Sequence, residues 1–356
     1  MRSIVPSRAP RGRPARAARD HAEAGLRPPR RWDAAETTLI ARPATVRTAL
    51  FAPGVLDRRT TMRTLSCSGP DLAGRIARRH FVGQDRVAVA ADADELIRLL
   101  AASRRADLRP AVINAQTRRG HADSLRAAGT PFVELPLRDH RICAEELCAR
   151  MARGAGLVVV AHPHDPTGGV LDAESVRSLC AAARRYGTLV VFDESSAEFA
   201  LGPGFTSARW NARYGSDVCV LRTYGSPGFA YLIGAPAVVG RLPAPRPPAA
   251  PPSHDLVPLE RLRTANRAAR ESLCRGLAEL GVEFLPSAAD FVLVRLPGTA
   301  SRVAGGLRAA GHTWAADLAP IGLRDHLRVP VGREDDVAAL LGRLRTILAT
   351  VAPPAA

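Results

Sequence analysis

The segment His162-Pro163-His164-Asp165-Pro166-Thr167-Gly168 places two imidazoles and a carboxylate directly after an apolar run, Leu157 to Val160. A second apolar run, Leu189 to Phe192, leads straight into Asp193 and Glu194. Imidazoles and carboxylates at neighbouring strand ends can bind a metal or move protons. The competing reading is a polar loop whose histidines cap or hydrogen-bond the backbone, and it is the stronger one, so no metal site is assigned. One chemistry is closed to the chain. It contains no lysine, and all 50 residues of the Lys+Arg count are arginine. An imine to a carbonyl group requires an amine that can give up its proton, and a guanidinium stays protonated. Abundant Ala, Arg, Gly, Pro and Val fit GC-rich coding, in which arginine drifts into surface lysine positions; that drift does not account for the loss of a reactive amine. Ser226 lacks the Gly-x-Ser-x-Gly surroundings of a nucleophilic serine.

The elements that must position these residues follow from periodicity. A helical pattern begins at Asp71, and Val87 to Ala90 is a short strand. Asp94 to Ala102 is a helix with Leu96, Leu99 and Leu100 on one face. Ala111 to Ile113 is a strand, His121 to Ala128 a helix ending at Gly129, and Phe132 to Leu135 a strand. Leu157 to Val160, Leu189 to Phe192 and Val218 to Leu221 are continuously apolar strands, and Ala173 to Tyr186 is a helix closed by Gly187. Strands of this kind alternating with helices predict a mainly parallel sheet covered on both faces. Beyond the proline-rich stretch Leu242 to Ser253, the pattern predicts a helix over Leu259 to Leu280 and a strand over Phe291 to Arg295. A helix near Val303 to Ala310, a strand over His326 to Val329 and a last helix over Asp335 to Leu348 complete it. The expected organisation is a basic, largely disordered extension over 1–55, a large α/β domain over 56–240, a linker over 241–254 and a small α+β domain over 255–350.

From about Asp71 to Leu348 this order resembles the class I/II aminotransferases, fold type I of the pyridoxal-phosphate (PLP) enzymes. The nearest likeness is to the histidinol-phosphate aminotransferase and threonine-phosphate decarboxylase branch. Four stretches carry it. His162 to Gly168 resembles the family's NPxNPTG loop. Val190-Val191-Phe192-Asp193-Glu194, running on to Glu198-Phe199, resembles its VVxDExYxEF strand. Val220 to Ser226 resembles VLRTxSK, and Leu327-Arg328-Val329-Pro330-Val331-Gly332 resembles LRxxVG.

The resemblance implies a role for each matching position. Asp193 stands where the family aspartate pairs with the cofactor's pyridine nitrogen. Asp165 replaces an asparagine that donates to the ring oxygen, and an ionised carboxylate cannot donate. Ser196 replaces a tyrosine serving the same oxygen. Ser226 takes the place of the Schiff-base lysine, and Gly225 that of a phosphate-binding serine, while Thr223 is kept. Ala230-Tyr231-Leu232 leave no phosphate-binding arginine in register, and the tyrosine of the YP motif is missing near Leu65 to Ser68. His121 aligns near the aromatic that stacks on the ring. Arg328 matches the arginine that holds a substrate carboxylate, with an ordinary salt bridge as the alternative. The expected cofactor-site residues are therefore Asp193, Asp165, Thr223 and His121, with Ser226, Asp193 and His121 at the catalytic positions and Arg328 facing substrate. No covalent cofactor is expected; PLP or pyridoxamine phosphate held non-covalently is the residual possibility.

A formal charge of +16 raises nucleic acid or an acidic partner as a question. The first fifty residues carry eleven arginines against four acids, in a run interleaved with Ala, Pro and Gly and without the apolar stretch of a secretion signal. This is a basic extension predicted to be disordered over its first thirty residues or so, or the product of an upstream start codon. Aromatic residues make up 4% of the chain, too few for a stacking platform, and nucleic-acid binding is not expected. Six cysteines are scattered without CxxC pairing, and Cys180 and Cys219 fall in apolar segments as core residues. With no apolar run of membrane-spanning length, the expected location is the cytoplasm. Two functions stay open. One is a pseudoenzyme of the aminotransferase fold, a scaffold, homodimer or partner of a lysine-bearing subunit. The other is a repurposed enzyme acting on a small amino or carboxylate substrate. The proline-rich stretch stands where relatives place a helix that buries dimer surface, which weighs against an ordinary homodimer.

Overall fold

The protein is described by a computed structural model covering residues 72–197, 200, 207, 212, 215–224, 229–246, 259–312 and 315–351. The extension over 1–55, the Leu65 to Ser68 segment, Ser226 and most of the proline-rich stretch lie outside the described residues. No described helix is long and apolar enough to cross a membrane.

Seven strands form the larger sheet: β1 (Val87–Ala90), β2 (Ala111–Asn114), β3 (Phe132–Leu135), β4 (Leu157–Ala161), β5 (Leu189–Asp193), β6 (Val218–Tyr224) and β7 (Phe229–Ile233). Their spatial order is β1-β7-β6-β5-β4-β2-β3. Strands β3, β2, β4, β5 and β6 pair in parallel. Strand β7 runs against both of its neighbours. The helices are α1 (Leu72–His80), α2 (Ala93–Ser103), α3 (Arg119–Ala127), α4 (Ala144–Ala152), α5 (Ala173–Tyr186) and the short α6 (Pro236–Val239).

The apolar runs are strands because both faces of the sheet are covered. Val158, Val160, Val190, Phe192, Val218 and Val220 point to one face and pack with Leu147 and Met151 of α4 and Val176 and Leu179 of α5. Leu157, Val159, Leu189, Val191, Cys219 and Leu221 point to the other and pack with Leu96, Ile97 and Leu100 of α2 and Leu125 of α3. The period of two along each strand thus sorts alternate residues into two separate cores. Helix α5 is set by its ends. The Asp172 carboxylate accepts from the Ser175 backbone N–H at 2.7 Å, and Gly187 closes the helix at φ +59°, a conformation glycine adopts without strain.

The second sheet is antiparallel, in the order β10-β11-β9-β8, with β8 (Glu283–Phe284), β9 (Phe291–Arg295), β10 (Ala316–Asp317) and β11 (His326–Pro330). Helices α7 (Leu259–Glu279), α8 (Ala300–Ala309) and α9 (Glu334–Thr350) share its core through Leu273, Leu277, Val303, Leu307, Leu340 and Leu344.

Helix α4, strand β7 and the placement of Cys180 depart from the sequence reading. Ala230-Tyr231-Leu232 belong to β7, where Tyr231 is buried and its hydroxyl meets His80 Nε2 at 2.9 Å. Cys180 is half-buried on α5 rather than central, while Cys219 is fully buried. Burial pushes both thiols up to about 12, so neither forms a thiolate near neutral pH.

Candidate functional site

The carboxyl ends of β2, β4, β5 and β6 lie side by side. After β2 the chain leaves along α3 over one face; after β4 it leaves along α5 over the other. Such a divergence is where open α/β sheets bind ligands. Arg118 and His121, at the start of α3, flank it on one side, and the His162–Gly168 loop flanks it on the other.

Asp193, the last residue of β5, is the hub. Its Oδ1 accepts from the Ser195 backbone N–H at 3.0 Å and from the Ser195 hydroxyl. Its Oδ2 meets His121 Nε2 at 2.8 Å, and Arg118 Nε stands 3.4 Å away. Burial opposes ionisation of this carboxyl, but the Arg118 charge and the His121 and Ser195 contacts outweigh it and hold it well below the usual carboxylate range. Arg118 also pairs with Asp94. Burial works against the Arg118 charge, and Asp193, Asp94 and Asp165 more than offset that, so its guanidinium is held protonated above the ordinary arginine range.

Asp165 does not turn toward this hub. Its Oδ1 accepts from Arg328 Nε at 3.0 Å, and its Oδ2 lies 3.5 Å from Arg328 Nη2. Arg328 comes from β11 of the second sheet, so the pair joins the two sheets. The guanidinium carbon of Arg328 sits 3.8 Å from the centre of the Phe291 ring. The Thr117 hydroxyl donates to the Asp165 carbonyl at 3.3 Å. A second contact lies nearby, where the Ala288 N–H donates to the Gly168 carbonyl at 2.7 Å. Gly168 has φ +75°, and a Cβ there would overlap the Ser287 hydroxyl.

His164 is buried between these groups. Its Nδ1 meets the Thr167 hydroxyl at 3.0 Å, and that hydroxyl accepts from the Gly169 N–H at 3.3 Å. The Thr167 hydroxyl can accept from both or donate to Nδ1, so either imidazole tautomer fits, and Nε2 has no hydrogen-bond partner among the described residues. Burial pushes His164 down to about 4, against the pull of Asp165 and with a further push from His121. His162 accepts from the Leu171 N–H through Nδ1 at 3.3 Å and meets the Phe192 ring edge-on. Glu194 is taken by Arg222, with Nε at 3.0 Å, and by the Ser207 hydroxyl at 2.8 Å. Thr223, on β6, donates its hydroxyl to the Ser195 carbonyl at 3.0 Å.

Residues 33–243, more than half of the chain, match the sequence profile described as Aminotransferase class I and II. The chain belongs to the class I and II aminotransferase family. Among curated proteins it is 30% identical over 294 residues to the histidinol-phosphate aminotransferase of Anaeromyxobacter sp., a match covering 77% of this chain and 80% of that one. It is also 30% identical over 211 residues to histidinol-phosphate aminotransferase 1 of Nitrosococcus oceani, covering 54% of this chain and 56% of the relative. The latter match thus spans little more than half of the relative's length. Among solved structures it is similar to the histidinol-phosphate aminotransferase of Sinorhizobium meliloti in complex with pyridoxal-5'-phosphate, with a TM-score of 0.65 and 20% identity over 79% of this chain and 82% of that chain. The large, mostly parallel α/β sheet is that of fold type I.

In this aminotransferase-family chain the ends of the strands leading to His162, Asp193 and Thr223 do border one another, as expected. His121 presents its Nε2 edge to Asp193. Asp165 and Arg328, assigned separately to cofactor and substrate, are each other's partner. The importance of Arg118 and Arg222 was not visible in the sequence. Each is one arginine among fifty, and each pairs with a carboxylate distant in the chain. Among the described residues, no cluster of three or more His, Cys, Asp or Glu side chains is placed to hold a metal.

Proposed function

We propose that this chain is a non-catalytic member of its family, a partner subunit or scaffold built on the aminotransferase fold, with a decayed PLP site. The observation that carries this reading is the absence of lysine from the entire chain, because no other side chain supplies the amine of a Schiff base. The site geometry supports it. A pyridinium nitrogen would need an oxygen of Asp193, where it would compete with the His121 and Ser195 contacts and the Arg118 charge already gathered there. The Thr223 hydroxyl is committed to a carbonyl. Asp165 accepts where a donor to an anionic ring oxygen is required. The residues present do not fit the cofactor, and no reaction step is assigned through it. The partner we favour is a lysine-bearing chain of the same fold, in the cytoplasm; a homodimer is the other assembly.

The test is purification of the full chain with and without PLP or pyridoxamine phosphate, followed by absorbance, a thermal shift and a transamination assay. A ligand at a hundredfold its dissociation constant stabilises by about 2.7 kcal/mol, and the expected result is no such shift, no visible aldimine band and no turnover. Ser226→Lys alone is expected to leave the spectrum blank, because the ring and phosphate contacts are also altered. A stable visible band in that variant would overturn the decayed-site reading and favour the repurposed enzyme with non-covalent pyridoxamine phosphate.

A further inference from the structure

We propose that Asp165 is a built-in occupant of the Arg328 guanidinium, so that the cleft refuses a small carboxylate its own arginine would otherwise bind. The inference deepens the reading of a site that has left its family chemistry, and it names the device. Arg328 is 5% exposed. The Phe291 ring covers one face of the guanidinium, so a ligand must approach along an edge. The edge formed by Nε and Nη2 is taken by Asp165 at 3.0 and 3.5 Å.

Asp165 arrives there with the fold and not by diffusion. Its carbonyl is held by the Thr117 hydroxyl, and three residues on, Gly168 is fixed to Ala288 of the second lobe. A group positioned in advance has lost its freedom during folding and outcompetes a free group of the same chemistry. The fork is uneven, with one bond at 3.0 Å and one at 3.5 Å, longer than a tight bidentate pair. Replacing the carboxylate by an amide of the same shape keeps the volume but leaves the buried guanidinium without a counter-charge, and a small carboxylate from solution then pairs with it along its other edge, between Nη1 and Nη2.

The experiment uses the full chain and succinate as the probe, with binding followed by calorimetry and by melting temperature. Wild type is expected to show no heat and no change in melting temperature at millimolar succinate. Asp165→Asn should melt lower than wild type. It should recover with succinate and bind it on the order of a hundredfold more tightly than wild type, the scale of a charge-assisted bond. Asp165→Asn combined with Arg328→Gln should lose that binding. Succinate binding to wild type as tight as to Asp165→Asn would overturn the proposal, as would a folded Asp165→Asn that does not bind, or binding that survives in the double variant. If Asp165→Asn does not fold alone, refolding in succinate decides: recovery supports the proposal and its absence overturns it. None of these readouts involves PLP or turnover, so an active enzyme would defeat the proposed function and leave this result standing by itself.

Discussion

Replacing His164 with glutamine should flatten the acid limb of the protein's stability curve. In the folded protein the imidazole is buried and pushed down from 6.5 to about 4; in the unfolded chain it returns to its ordinary value. The unfolded state therefore takes up a proton first as pH falls. Stability from the neutral imidazole is complete above about pH 6.5, declines as pH drops through the interval, and is lost by about pH 4. The whole interval corresponds to about 3 kcal/mol, of which about 2 kcal/mol is spent between about pH 7 and about pH 4.5. His326 is also pushed down to about 4, by burial first and by His140 and Arg295 next, so wild type should retain a second slope in the same window. Asp193 is held below the carboxylate range and keeps its charge there. Urea denaturation followed by circular dichroism at the two pH values gives the difference directly. His164→Gln should lose about 2 kcal/mol less than wild type on acidification, whatever its stability at neutral pH. Equal losses in the two proteins would refute the assignment of a buried neutral imidazole at this position.

Other perturbations test the same structure. Asp193→Ala leaves Arg118 and His121 facing each other without their carboxylate and should cost about 3–5 kcal/mol in chemical denaturation; a cost within error of zero would mean the network carries no stability. Gly168→Ala should destabilise by about 1–3 kcal/mol, because φ is +75° and the new methyl meets Ser287, and a neutral effect would show that the two lobes yield there. Phe192→Ala removes a fully buried ring and should cost about 3–5 kcal/mol. Phe81→Ala, at 74% exposure, should stay within about 0.5 kcal/mol; comparable costs for the two would contradict the placement of β5 at the centre of the sheet.

The strands that build the site were legible because β4, β5 and the start of β6 are covered on both faces, which demands an unbroken apolar run. Helix α5 was legible through its apolar spacing and Gly187. Strand β7 was not, because Phe229 to Ile233 is a short run between Gly228 and Gly234, too brief for its period to mark a strand. Helix α4 escaped because Leu147 and Met151 are its only large buried residues, too few for a clear period. Asp193, Asp165, Thr223 and Arg328 could each be found one at a time through the motif around it. What they do to one another could not. Asp165 and Arg328 are 163 residues apart, and no local pattern records that two opposite charges will meet when two sheets pack. Side-chain pairing across lobes is a product of tertiary packing, and a motif position names a residue without naming its partner.

The Asp165–Arg328 contact also bears on how the lineage can change. If either residue is substituted alone, the other is left as an uncompensated charge with 12% or less of its side chain exposed, a loss of about 3–5 kcal/mol from a native state typically worth about 5–15 kcal/mol. Changing both together removes most of that penalty. The two positions are thus epistatic: descendants should keep both or replace both, and a single replacement should survive only where stabilising changes elsewhere came first. The ion pair works as a ratchet, allowing sequence drift around the cleft and resisting any one-step return to an open arginine.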